Sequence, residues 1–330
     1  MKTLRILSAV LLAATLSAAS AQAAGYHVVQ TYKLGVSGGY DYMTFDAATN
    51  TLYIAQGDKV VVFDANAGVV TGAMSGMVHT HGILLAADGK TAYVSDGGAG
   101  VVRIVDRATL KQTGTIAVGT NPDGMVIEPT TGHLFVFCGK SKDLYVVDLA
   151  ANKVIAQAAL PGKPEFPVAD GAGNVYDNIE DTHQLVKIDA AQNKIVETIT
   201  FNGCESPSGQ AIDVANKRLF SVCDNGKMTV TEMPKLKQIA TIPIGEGPDA
   251  GVYDATQKLI FSSSGDVGTL SVVQQIAPSK YLLKQTVKTV AKGRTLALNP
   301  MNGDIYIVAP DPAATGAAAT KPLVLLKLSK

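Results

Sequence analysis

The chain has no tryptophan, and no Cys-x-x-Cys-His run offers a haem attachment, so no redox cofactor announces itself in these residues. Charged residues make up only 17% of the sequence, which leaves much of the chain to be buried strand. There is no basic run, and the formal net charge is zero. The electrostatic footprint of a nucleic-acid or anionic-lipid binder is therefore missing. Beyond the first residues no apolar stretch is long enough to cross a bilayer. Few segments carry apolar residues at i, i+3, i+4 and i+7 over three turns, so helix is scarce.

The first residues read as an export signal. Met1-Lys2-Thr3-Leu4-Arg5 is a positive n-region, Ile6 to Leu16 an apolar h-region, and Ala21-Gln22-Ala23 an A-x-A cleavage site before Ala24. No cysteine follows the h-region, which speaks against a lipid anchor. The expected organisation is a signal peptide over 1–23 and one domain over 24–330. The mature chain is expected to be soluble and monomeric, and periplasmic or secreted. Its 307 residues carry a net charge of −2, because Lys2 and Arg5 leave with the signal.

What is present is a repeat. One polar residue recurs at the same point of seven cycles, at Asp41, His81, Asp123, Glu165, Ser208, Asp249 and Arg294, in steps of 40, 42, 42, 43, 41 and 45. A period of this length built from short strands is the mark of a β-propeller, each repeat forming one blade around a central channel. In the clearest cycle Val118–Ile127, His133–Phe137, Leu144–Asp148 and Lys153–Gln157 read as four strands joined by tight turns. Seven such cycles of about 42 residues nearly fill the mature chain. The surplus falls in a Pro-, Ala- and Gly-rich loop from Pro310 to Pro322. The last cycle lacks a fourth strand, and His27–Leu34 is a strand with no cycle of its own. The predicted fold is all-β, a seven-bladed propeller with the N-terminal strand completing the last blade and removing exposed sheet edges.

Third strands end on Asp64, Asp106, Asp148 and Asp189, whose short acceptor side chains suit the turn into strand four. Cys204 and Cys223 share a cycle and form the candidate disulfide of an odd set of three, with Cys138 left over. Three buried thiols are the alternative.

Tyr93-Val94-Ser95-Asp96, Asn121-Pro122-Asp123-Gly124 and Val146-Val147-Asp148 resemble the YVTN repeat of exported, YncE-like bacterial propellers. The resemblance runs over the mature chain and implies a fold and a binding role rather than a chemistry. The fourth cycle departs from it with Pro164-Glu165-Phe166-Pro167, and the fifth and sixth carry Glu232 and Gln274 where the strand-three Asp stood.

Residues that open the innermost strands line one mouth of the channel. Four ring positions are carboxylates, Asp41, Asp123, Glu165 and Asp249; His81 and Arg294 join them, and His79 lies two residues from His81 on the same side of an extended segment. Such a funnel favours a cation or a basic group. The expected function is non-enzymatic binding of a small-molecule or protein ligand there, through His81, Asp41, Glu165, Asp123, Arg294, His79 and Asp249. No cofactor is required, although a metal at His79 and His81 is chemically reasonable. Two alternatives remain open. His79-Thr80-His81-Gly82 and Gly293-Arg294-Thr295 are similar to cycles of the 6-phosphogluconolactonase family. That similarity implies a lactonase in which His81 or Glu165 activates water and Arg294 stabilises the oxyanion. A propeller subunit of a periplasmic redox complex is the other. No Gly-x-Ser-x-Gly elbow surrounds Ser208, so a serine hydrolase is unsupported.

Overall fold

A computed structural model describes residues 25–317 and 320–330. The proposed signal peptide lies outside the described residues. Twenty-eight strands form seven four-stranded antiparallel sheets in a ring. No α-helix occurs among the described residues, hence none long and apolar enough to cross a membrane. The innermost strands of blades one to seven are Met43–Asp46, Thr80–Leu85, Pro122–Glu128, Pro164–Ala169, Pro207–Asp213, Pro248–Asp254 and Thr295–Leu298.

The scarcity of charge follows from how the blades pack. Second strands such as Thr51–Gln56 and Leu259–Ser264 are buried almost end to end, because a neighbouring blade covers each face. Alternate side chains then serve two interfaces. In blade one, Leu52 and Ile54 pack on Tyr306 and Val308 of blade seven, while Tyr53 and Ala55 pack on Ala92 and Val94 of blade two. Each fully buried side chain of this size contributes about 1.5–3 kcal/mol. Outer strands face solvent instead: Lys153–Ala159 and Lys194–Thr200 alternate exposed and half-buried residues.

The predicted hairpin anchors take shape. Asp64 Oδ1 accepts the N–H groups of Asn66 and Ala67 at 2.8 and 3.0 Å. Asp106, Asp148 and Asp189 accept equivalent bonds in their own blades. Cys204 and Cys223 are joined, tying the loop before the inner strand of blade five to its second strand, and Cys138 is a buried free thiol.

Closure joins the two ends. His27–Ser37 pairs antiparallel with Pro322–Ser329, from His27 opposite Ser329 to Ser37 opposite Pro322, and forms the outer strand of blade seven. Deleting residues 25–37 would strip that sheet to three strands and expose the backbone edge of Pro322–Ser329. The expected result is loss of the cooperative thermal transition by circular dichroism, with high-mass species on size exclusion. A monomer that melts like the intact chain would show that the ring does not need this strand.

Candidate functional site

Each ring side chain is aimed by a local break in pairing. Register shifts fall at the ring position in blades two to six, between Thr80 and Ile83, Pro122 and Met125, Glu165 and Val168, Pro207 and Gln210, and Pro248 and Ala250. A bulge bends the strand and re-aims the residue beside it, here into the channel. The glycine that follows is dictated by crowding near the axis. A Cβ at Gly82 would lie 2.6 Å from the Asp123 carbonyl oxygen, and one at Gly209 the same distance from the backbone of Asp249 and Ala250. Side chains on the second strands then latch three of the ring residues to the preceding blade. Ser95 Oγ donates to the Asp123 carbonyl at 2.7 Å, Asn178 Nδ2 to the Ser208 carbonyl at 2.7 Å, and Ser263 Oγ to that of Arg294.

On one side of the mouth stand Asp41, His81 and Asp123. His81 Nδ1 lies 2.6 Å from Asp41 Oδ2 and 3.7 Å from Asp123 Oδ1. His79 is exposed, its ring edge-on to that of His81 with centroids 4.4 Å apart. On the other side Glu165 Oε1 meets Lys163 Nζ at 2.8 Å, and Lys163 also pairs with Glu180. Asp249 Oδ2 lies 3.4 Å from Arg294 Nη1, and the Arg294 guanidinium donates to the Tyr40 carbonyl at 3.2 Å. Ser208 is turned to a structural task, its hydroxyl donating to the Pro248 carbonyl at 3.1 Å.

Sequence reasoning missed four residues. Tyr42 of blade one and Phe166 of blade four meet across the ring with centroids 4.3 Å apart, and the Phe166 N–H donates to the Tyr42 hydroxyl at 3.2 Å. This pair bridges the channel from blade one to blade four beside the carboxylate ring. Below it the channel is a cavity of about 410 Å³ lined largely by apolar side chains, among them Met43, Val168, Ile212, Leu296 and Leu298. The signal for the bridge was Phe166 standing where three other blades carry Gly82, Gly124 and Gly209. Lys163 left no signal in the repeat. Asp177 did: it occupies a second-strand position held by Ile54, Val94 and Val136 in the first three blades. It is wholly buried, and neither carboxylate oxygen has a hydrogen-bond partner among the described residues.

Burial dominates the electrostatics. It pushes Asp123 up to about 7, helped by the Asp41 charge. Asp249 rises to about 6 by burial, with Arg294 pulling the other way. Burial, reinforced by neighbouring carboxylates, holds Glu165 and Asp177 well above the usual carboxylate range. Burial opposes charge on His81 as well. The Asp41 hydrogen bond and the Asp123 and Asp41 charges outweigh it, and the imidazole titrates at about 9. Asn121 adds to that rise, although His81 Nε2 makes no hydrogen bond of good geometry.

These shifts share one direction in stability. A carboxyl raised on folding binds its proton more tightly in the native state, so stability falls as pH rises from about 4 through the raised value. The raised His81 stabilises fully below about 6.5, and that contribution is lost as pH rises through about 9. Carboxylates held low, such as Asp46, Asp96 and Asp213, lose their contribution only below about pH 4. Chelator-treated protein should therefore melt highest near pH 5 and progressively lower at pH 7 and 9. Asp123→Asn should flatten the part of that fall below pH 7. A melting temperature that climbs from pH 5 to 9 would contradict this assignment.

No protein-family model matches the chain, and no curated protein matches it either. Solved structures do match. A chain of the mitotic checkpoint complex is 15% identical with a TM-score of 0.77, over 98% of both chains. The WD40 repeats of RRP9 are 11% identical with a TM-score of 0.76, over 91% of this chain and 97% of that one. Hydrazine synthase of Kuenenia stuttgartiensis is 18% identical with a TM-score of 0.71, over 83% and 93%. At these identities the likeness is one of fold, and the chain is a seven-bladed β-propeller.

Proposed function

We propose that this is an exported, YVTN-type, YncE-like propeller that binds a ligand carrying a cationic group at the acidic mouth of its channel. The observation that carries the reading is the crowding of buried carboxylates beside the aromatic bridge. Asp41, Asp123, Glu165 and Asp249 gather beside the Tyr42–Phe166 pair, in surroundings dry enough to raise Asp123, Glu165 and Asp249. Desolvated like charges that repel one another are relieved by a bound cation, and perturbed carboxyls in a cleft mark functional sites. The repeat resemblance supports the family, and the leader pattern over 1–23 supports export. N-terminal sequencing of protein recovered from the periplasm or medium should begin at Ala24; an intact Met1 end would refute export by cleavage.

The lactonase reading fits less well. A general base must be unprotonated at the working pH, whereas His81 is held as imidazolium up to about 9. Arg294 is already engaged by Asp249 and Tyr40. Calorimetric titration with 1,5-diaminopentane and a Lys/Arg-rich decapeptide tests the binding reading. At least one should bind, and Asp123→Asn combined with Glu165→Gln should weaken it about tenfold or more, about 1.4 kcal/mol, without lowering the melting temperature. Binding indifferent to both substitutions, or turnover of a lactone panel followed with a pH indicator, would overturn the reading.

A further inference from the structure

The four carboxylates of the mouth are not equivalent. Glu165 and Asp249 already face cations, Lys163 at 2.8 Å and Arg294 at 3.4 Å. Asp41 and Asp123 have only the imidazole of His81 between them. Asp123 is the more telling of the two. It is 7% exposed, and among the described residues no group donates a hydrogen bond to its carboxylate; its nearest polar neighbour in the cluster is His81 Nδ1 at 3.7 Å. A carboxylate buried to that degree without a donor is costly unless something pairs with it.

The three side chains converge on one point. One ligand atom from each, an imidazole nitrogen of His81 and a carboxylate oxygen from Asp41 and from Asp123, all lie within 4.8 Å of one another. Bonds of about 2.0–2.2 Å in a tetrahedral shell place neighbouring ligand atoms about 3.3–3.6 Å apart. The separations from His81 Nδ1, 2.6 Å to Asp41 and 3.7 Å to Asp123, bracket that range. We propose that Asp41, His81 and Asp123 bind a divalent first-row transition-metal ion that displaces the proton shared by His81 Nδ1 and Asp41, which deepens and rests on the reading of this mouth as a cation site.

The donor set narrows the ion. Two carboxylates balance a charge of +2, and an imidazole nitrogen favours Zn²⁺, Mn²⁺, Fe²⁺, Co²⁺ or Ni²⁺ over Ca²⁺ and Mg²⁺, which prefer oxygen alone. No thiolate lies in the cluster to select Cu⁺. His79, exposed and edge-on to His81, is outside the ligand group. Three protein ligands leave coordination positions open, as in metal sites that receive a further ligand.

The test is calorimetric titration of the chelator-treated mature chain with ZnCl₂, MnCl₂ and CaCl₂ separately at pH 7.5. One Zn²⁺ per chain should bind at about micromolar affinity or tighter, with Ca²⁺ about 100-fold weaker or more. Asp123→Asn and His81→Ala should each weaken Zn²⁺ about 100-fold, and His79→Ala less than about threefold. Zn²⁺ should raise the melting temperature of the native chain and leave that of Asp123→Asn unmoved. A cooperative melt of Asp123→Asn without metal, at or above the native value, shows that lost binding is not lost folding. Equal Zn²⁺ affinity in Asp123→Asn would place the metal on other histidines and overturn the proposal. Diaminopentane bound with Zn²⁺ unbound would overturn it while sparing the cation-mouth reading; neither bound would end both.

Discussion

The pairing of His27–Ser37 with Pro322–Ser329 fixes the radius of the ring, and through it the spacing of side chains that start about 42 residues apart in the chain. No two ring residues are neighbours in sequence. Their contact exists because seven blades divide one full turn and because each innermost strand is pressed against the next. The hydroxyl and amide latches of Ser95, Asn178 and Ser263 carry that constraint to the mouth, each gripping the backbone of the ring residue in the following blade. The positions of the carboxylates are thus a property of the closed circle rather than of any single blade.

That circle holds an arrangement that works against its own stability. Several carboxyls share a small, poorly hydrated volume, and only some have basic partners. Compact proteins tolerate such repulsion where the blade interfaces supply a surplus of apolar burial, as the seven interdigitated clusters do here. Strain of this kind concentrates at sites where a ligand relieves it.

Much of the architecture could be read from the residues. The period, the strand-three aspartates and the orphan strands at both ends depend on local pattern, and local pattern is what a sequence displays. His81, Asp41 and Asp123 were legible as ring members for the same reason. Their mutual contact was less so: His79, two residues from His81, looked the natural co-ligand, yet the groups beside Nδ1 come from the blades on either side. Tyr42 meeting Phe166 joins positions 124 residues apart across a diameter. No repeat announces such a contact, because it happens once. Asp177 is likewise a departure from the repeat, and departures are where a periodic chain places what is particular to it.

The aromatic bridge between Tyr42 and Phe166 has a consequence for exchange. A propeller channel open at both ends would let a molecule pass through; with Tyr42 and Phe166 in contact across it, a guest at the acidic end would arrive and leave by a single doorway. Residence time is then governed by whatever covers that doorway. A macromolecule seated on the same face would act as a cork, slowing release without touching the guest itself.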